Sequence, residues 1–198
     1  GIMGADFMKI GASLPPCDWV TRDAFAAMDI AGYNYGINRY KHDLKKYKHR
    51  LILGSETFCS DAYKFRELAK KNPRLIGDFV WAGMDYLGET SVGAWEYEDY
   101  ASLTNECGWM TAGSGRVDLV GNFLGEAYYT RVALEAEGDK GPYIAVVPVN
   151  HTHDKHSPSA WKMSNAIPSW SWNGCEGKDA RVEVYARAAS VALFANGV

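Results

Sequence analysis

Glutamate is absent from the first 55 residues of this 198-residue chain, and several other features are missing with it. There is no basic excess: 21 lysines and arginines stand against 24 aspartates and glutamates, a net charge of -3. A nucleic acid or an anionic membrane surface needs positive charge to displace counterions or meet headgroups, so neither is expected as a partner. Apolar runs such as Tyr143 to Val147 end after a handful of residues, far short of the roughly 20 that cross a bilayer as a helix. The four cysteines, Cys17, Cys59, Cys107 and Cys175, include no CxxC pair, which speaks against a zinc ribbon or a dense disulfide framework and for free thiols. No GxGxxG or GxxxxGK[ST] pattern follows a strand, so nicotinamide, flavin and nucleotide cofactors are disfavoured and no cofactor is expected. Internal repeats and low-complexity tracts are also missing. Nothing at the start has the order of a signal peptide, and the localisation stays unknown.

Both ends break off in mid-pattern. Gly1 to Lys9 lacks a preamble, and Asn196-Gly197 reads as a hairpin turn whose return strand is missing. An excised segment of a longer protein is the expectation.

What is present divides near residue 139. Before it, β-rich runs (Ile30 to Tyr35, Arg50 to Gly54, Leu75 to Trp81) alternate with helical spacing over Trp19 to Met28, Tyr63 to Lys71 and Phe123 to Glu137. That alternation is the pattern of parallel βα units. Asn72-Pro73 should stop the second of these helices, because the proline ring disfavours helical geometry in the residue before it. After the Gly138-Asp139-Lys140-Gly141-Pro142 linker the period becomes two, over Tyr143 to Val149, Val182 to Tyr185 and Val191 to Phe194. This predicts an antiparallel sandwich with too few strands to be complete. The predicted domains are therefore 1–138 and 139–198.

In a parallel βα architecture the chemistry gathers just beyond the strands. The first run ends in Gly32-Tyr33-Asn34-Tyr35, the second leads to Ser55-Glu56-Thr57, and the third to Trp81-Ala82-Gly83-Met84-Asp85-Tyr86. A carboxylate between tyrosines and a tryptophan is the equipment of a sugar-cleaving site. The carboxylate attacks or stabilises an oxocarbenium-like carbon, a phenol holds it in place, and an indole face packs on a pyranose.

These three motifs, in this order, resemble the barrel of β-galactosidase-type enzymes of glycoside hydrolase family 2. The likeness continues through Gly115-Arg116-Val117-Asp118-Leu119-Val120-Gly121. It extends to Pro168-Ser169-Trp170-Ser171-Trp172-Asn173-Gly174 and Leu193-Phe194-Ala195-Asn196-Gly197, which look like the immunoglobulin-like domain after such a barrel. The resemblance implies an α/β fold, namely strands six to eight of a (β/α)8 TIM barrel, followed by a partial immunoglobulin-like β-sandwich. It implies Glu56 as nucleophile, Tyr35 as the residue that orients it, and Trp81 and Asn34 as substrate-binding residues. The implied reaction is retaining hydrolysis of a β-linked sugar through a covalent glycosyl-enzyme, with a carbohydrate substrate.

Such hydrolysis needs a second carboxyl about 5 to 5.5 Å from the first. In the family it is a glutamate following an asparagine, upstream of the nucleophile, and no glutamate precedes Glu56 here. Asn105-Glu106 lies downstream, so chain order rejects it. The chain alone is therefore expected to be inactive. Its unpaired strand edges and uncovered apolar faces predict self-association.

Plainer roles compete at several positions. Glu56 read as a helix-start glutamate, and Tyr33, Tyr35 and Trp81 read as packing residues, are the alternatives to a site. Asp78 and Asp85 read as cap or turn residues. His151, His153 and His156 read as a polar loop, without a fourth ligand of defined spacing, so no metal is expected. The alternative function is a non-catalytic module: a carbohydrate-binding unit built on Trp81, Trp95, Trp109, Trp170 and Trp172, or a structural interdomain piece. Trp170 and Trp172, two apart, are expected on one face of a strand as packing residues.

Overall fold

A computed structural model describes residues 4–87, 93, 95, 97, 111–156 and 159–197. Cys107, Trp109 and Asn105-Glu106 lie outside the described residues.

The chain opens with two helices, α1 (Gly4–Ser13) and α2 (Pro15–Ala26). Two prolines in the first turn of α2 suit positions whose N–H groups have no helical partner. Three parallel strands follow, β1 (Ile30–Asn34), β2 (Leu51–Phe58) and β3 (Leu75–Trp81), joined by α3 (Tyr40–Lys46) and α4 (Ala62–Ala69). Their order is β1-β2-β3, as the alternation of strand and helix requires. Helix α4 ends before Pro73, and the Asn72 side chain donates to the Leu68 carbonyl at 2.7 Å, occupying an acceptor that the stopped helix leaves open.

One face of this sheet is covered. Ala31, Tyr33, Ile52 and Leu75 pack with Ile37, Tyr40, Leu44 and Phe65 into a buried cluster, with Phe25 of α2 stacked on Tyr33 at 4.8 Å between ring centroids. Burying each large side chain contributes roughly 1.5–3 kcal/mol. Several polar groups on this side are paired with one another. Asp43, fully buried, accepts from Tyr33 Oη and Arg39 Nε, both at 2.7 Å, and Arg50 Nη1 donates to Tyr33 Oη at 2.9 Å. Arg39 Nη2 and Lys46 Nζ reach Asp18 of α2 at 3.1 and 2.7 Å. This network ties α2, β1 and α3 together. Gly54 belongs to the same side: a Cβ there would lie 2.2 Å from Asp78 Oδ1, so only glycine leaves room.

Among the described residues the other face is open. Ile30, Ile76, Phe79 and Trp81 are exposed, as are Phe7, Ile10, Trp19 and Val20 on the first two helices.

Helix α5 (Gly125–Ala133) leads to an antiparallel pair, β4 (Tyr143–Val146) and β5 (Val182–Tyr185). Val132 of α5 packs with Ala145, Val147, Ala166 and Tyr185, so helix and strands share a core. Between them, Gly138 and Gly141 take left-handed backbone conformations with φ of 79° and 71°. The fold is a mixed α/β one, with a parallel sheet and a small antiparallel sheet.

Three expectations need correction. Val191 to Phe194 forms no strand and is exposed. Trp170 and Trp172 sit in irregular backbone rather than on a strand, Trp170 exposed and Trp172 half-buried. The second β run extends four residues past Gly54, to Phe58, which places Glu56 inside β2.

Candidate active site

Regular alternation along β2 would send Glu56 to the helix-covered side, with Ile52 and Gly54. A register slip prevents this. Tyr33 pairs with Gly54 but Asn34 pairs with Glu56, so Ser55 is the extra residue, and the β2–β3 register shifts between Gly54 and Thr57 as well. Such bulges re-aim side chains at strand ends. Ser55 and Glu56 are accordingly both half-buried, where strict alternation would bury one and expose the other.

Tyr35 follows directly after β1. Its φ of 53° is the left-handed region, uncommon for a non-glycine residue and costly enough that the surroundings must hold it. The hold is visible. Tyr35 N donates to Glu56 O at 2.7 Å, and its ring, 7% exposed, stacks on Phe58 at 4.2 Å. Its hydroxyl accepts a hydrogen bond from the indole Nε1 of Trp161 at 2.9 Å. Burial first, then the hydrogen-bonding contact and negative charge of Glu56, push the Tyr35 hydroxyl's pKa up to about 12, against the opposing effect of the Trp161 N–H. Tyr35 is thus a neutral phenol whose proton is retained beside a carboxylate.

Asn34, exposed, accepts from Ser55 Oγ at 2.8 Å, which fixes its amide next to the Glu56 segment. Trp81 closes β3 opposite Phe58, is 38% exposed, and meets Tyr86 edge-on at 5.9 Å; the peptide after it is cis. Glu56, Tyr35, Asn34 and Trp81 therefore all lie at the carboxyl end of the parallel sheet, where a βα architecture puts its chemistry.

Tyr33 does not join them. It is 4% exposed and bonded to Asp43 and Arg50 on the helix side. Asp78 also faces that side, where Thr57 Oγ1 donates to it at 2.5 Å and burial raises its pKa to about 6. Asp85 lies in irregular backbone, and its two carboxylate oxygens accept from the distant Gly113 N and Gly115 N, each at 3.3 Å.

Trp161 was not foreseen from the sequence. It sits 126 positions after Tyr35, in a segment without regular structure, and its T-shaped contacts with Tyr35 and Phe58 are tertiary. The segment is pinned by Glu126 of α5. That carboxylate, 1% exposed, accepts from Met163 N and Ser164 N and lies 3.8 Å from Lys162 Nζ. Burial raises its pKa, opposed by Lys162 and the two backbone donors.

The histidines take other roles. His151 stacks on Tyr97 at 3.6 Å and pairs with Asp154, and His156 stacks on Trp95 at 3.8 Å, around a cleft of about 290 Å³. Among the described residues no three His, Cys, Asp or Glu side chains gather as a metal set. Among them, too, no helix is long and apolar enough to cross a membrane, and Cys17, Cys59 and Cys175 are free.

No family model and no curated protein matches the chain. Solved structures do. A crystal structure of a glycosyl hydrolase family 2 member from Bacteroides cellulosilyticus is 31% identical, with a TM-score of 0.76 over 93% of this chain. The chain is similar to a segment of a family 2 glycosyl hydrolase. A second family 2 member, from Bacteroides cellulosilyticus DSM 14838, is 27% identical with a TM-score of 0.59 over 84% of the chain. The chain spans 23% and 19% of the length of these two family 2 structures.

Proposed function

We propose that this chain is the part of a family 2 glycoside hydrolase that carries the nucleophile of a retaining β-glycosidase of the β-galactosidase type. On this reading β1, β2 and β3 are strands six to eight of a (β/α)8 barrel, residues 1–138 are the end of that barrel, and residues 139–198 begin an immunoglobulin-like domain. The observation that supports it most is local. Glu56 emerges from a register slip at the carboxyl end of the middle parallel strand, beside the protonated hydroxyl of Tyr35. A binding module has no need of a carboxylate placed there.

In the reaction the Glu56 carboxylate attacks the anomeric carbon as the glycosidic bond breaks, and a water later displaces the enzyme from the sugar. Tyr35 donates to the carboxylate and fixes the oxygen that attacks. Trp81, with part of its ring open to solvent, offers a face to the pyranose, and Asn34 a polar partner to a sugar hydroxyl. The proton donor for the leaving oxygen belongs to the missing half barrel, so the 198-residue chain alone turns nothing over. Among the described residues, an uncovered face with Ile30, Phe79 and Trp81 and unpaired edges on β1 and β3 favour self-association.

A mechanism-based 2-fluoroglycoside added to the full-length hydrolase should leave a mass increment on the peptide containing Glu56. Labelling at another carboxylate with hydrolysis intact rejects the assignment. For the chain alone, light scattering should report a species larger than a monomer, and a sharp monomer peak with a cooperative melt rejects self-association.

A further inference from the structure

The helix-side tyrosine Tyr33 receives Arg50 and donates to Asp43, so both capacities of its hydroxyl are used for cohesion. At Tyr35 the same arithmetic has a different consequence. A phenol carries one proton and accepts through its oxygen, whereas an indole N–H only donates. Trp161 Nε1 lies 2.9 Å from the Tyr35 oxygen and therefore takes an accepting position. The one proton of the phenol must point elsewhere, and the neighbouring carboxylate is that of Glu56, whose backbone carbonyl accepts from Tyr35 N at 2.7 Å and so seats the two residues side by side. Donation into the phenol oxygen also makes its own O–H a stronger donor, the usual cooperativity of a hydrogen-bond chain.

We infer that Trp161 is a positioning residue for the glycosidase site: its indole N–H orients the Tyr35 hydroxyl proton toward Glu56, so that the segment following β4 completes the barrel's nucleophile. The inference rests on Glu56 being the nucleophile. Its physical basis is the Trp161 N–H donated to the Tyr35 oxygen at 2.9 Å and the 2.7 Å backbone hydrogen bond that holds Tyr35 beside Glu56, together with the rigidity of the segment that carries the indole. That segment is fastened to α5 by the buried Glu126 through Met163 N and Ser164 N, and the Trp161 ring is wedged edge-on against Tyr35 and Phe58, at 6.5 and 5.9 Å. Lys162 stands 3.8 Å from the same carboxylate and offsets its charge. A donor held this firmly presents its N–H to one place.

Packing alone would also explain a tryptophan here, and the two roles separate in a double-mutant cycle. Trp161→Phe keeps an aromatic ring and removes the donor. In the full-length hydrolase it should lower kcat about tenfold with KM nearly unchanged, the size expected for one lost hydrogen bond that matters in the chemical step. Tyr35→Phe should lower kcat by at least as much. The double variant should be no slower than Tyr35→Phe alone, because Trp161 acts through a hydroxyl that is no longer there. Loss of less than twofold in Trp161→Phe, or losses that multiply in the double variant, overturns the inference. If instead the 2-fluoroglycoside does not label Glu56, the reading of the nucleophile falls and this inference falls with it; labelling at Glu56 with multiplying losses removes this inference alone. Should Trp161→Phe fail to fold, the wild-type and Tyr35→Phe proteins decide by NMR. The Trp161 indole N–H resonance should move and exchange faster when the Tyr35 oxygen is removed, and an unchanged resonance overturns the relay.

Discussion

Two tyrosines separated by a single residue, Tyr33 on β1 and Tyr35 just past its end, belong to different parts of the molecule. Strand alternation would put them on one face. Tyr33 is sealed against α2 and α3, bonded to Asp43 and Arg50, with Arg39 and Phe25 about its ring. Tyr35 is turned by its positive φ and by the slip at Ser55 toward Glu56 and Trp161. The difference shows how a parallel sheet divides its labour. On the helix side Tyr33, Arg39, Asp43 and Arg50 are spent on one another, and the result is cohesion. At the strand ends Glu56 is left half-buried, with carboxylate capacity to spare for a substrate.

The sharpest way to break this comparison is at the two carboxylates. Glu56→Gln in the full-length hydrolase should reduce kcat by roughly 10^4-fold or more. Its melting temperature should stay within about 2 °C, because the amide keeps the size of the half-buried side chain and an oxygen that accepts from Tyr35. A comparable loss of stability would place Glu56 on the cohesive side.

Asp43→Ala should do the reverse, costing about 3–5 kcal/mol in urea unfolding by leaving Arg39, Arg50 and Tyr33 without their shared acceptor in a buried place. A change under about 1 kcal/mol would mean that the network is ornamental.

Asp78 sharpens the contrast through pH. Burial raises its carboxyl to about 6 in the folded chain, while the unfolded chain releases the proton near the ordinary 3.8. The folded state therefore binds more protons between these values. The contribution of Asp78 is fully present below about pH 4 and is lost as the pH rises through 6, by up to about 3 kcal/mol. Urea midpoints measured from pH 4 to 7 should show a falling component that Asp78→Asn abolishes.

The smallest effect belongs to Ser55→Ala. It removes an exposed hydrogen bond to Asn34 and should cost about 0.5 kcal/mol of stability. If Asn34 meets the sugar, KM should rise about twofold with kcat unchanged.

Much of the fold was legible because it is written in local patterns. Leu75–Trp81 and Val182–Tyr185 have the observed bounds, and Pro73 marks where α4 has to have stopped. What escaped is tertiary. Helix α3, only seven residues and rich in charge, is held by Arg39 pairing with Asp43 and by Arg74 donating to the carbonyls of Leu44 and Tyr47 beyond it. No periodicity announces that. The reading of β2 stopped at Gly54 because Ser55-Glu56-Thr57 is polar, yet the bulge keeps those residues in the sheet. Val191 to Phe194 has strand composition and finds no strand partner among the described residues. At the candidate site, Glu56, Tyr35, Asn34 and Trp81 are proposed from their places at strand ends and from the family resemblance, whereas Trp161 reaches Tyr35 across more than a hundred residues.

The clasp of Glu126 on Met163 and Ser164 bears on how such proteins evolve. A gene rearrangement that exchanged everything after α5 for an unrelated module would keep each strand-end motif intact in the text. It would nonetheless strip Tyr35 of its indole neighbour and leave Glu126 buried without donors. The two stretches are bound to be inherited together.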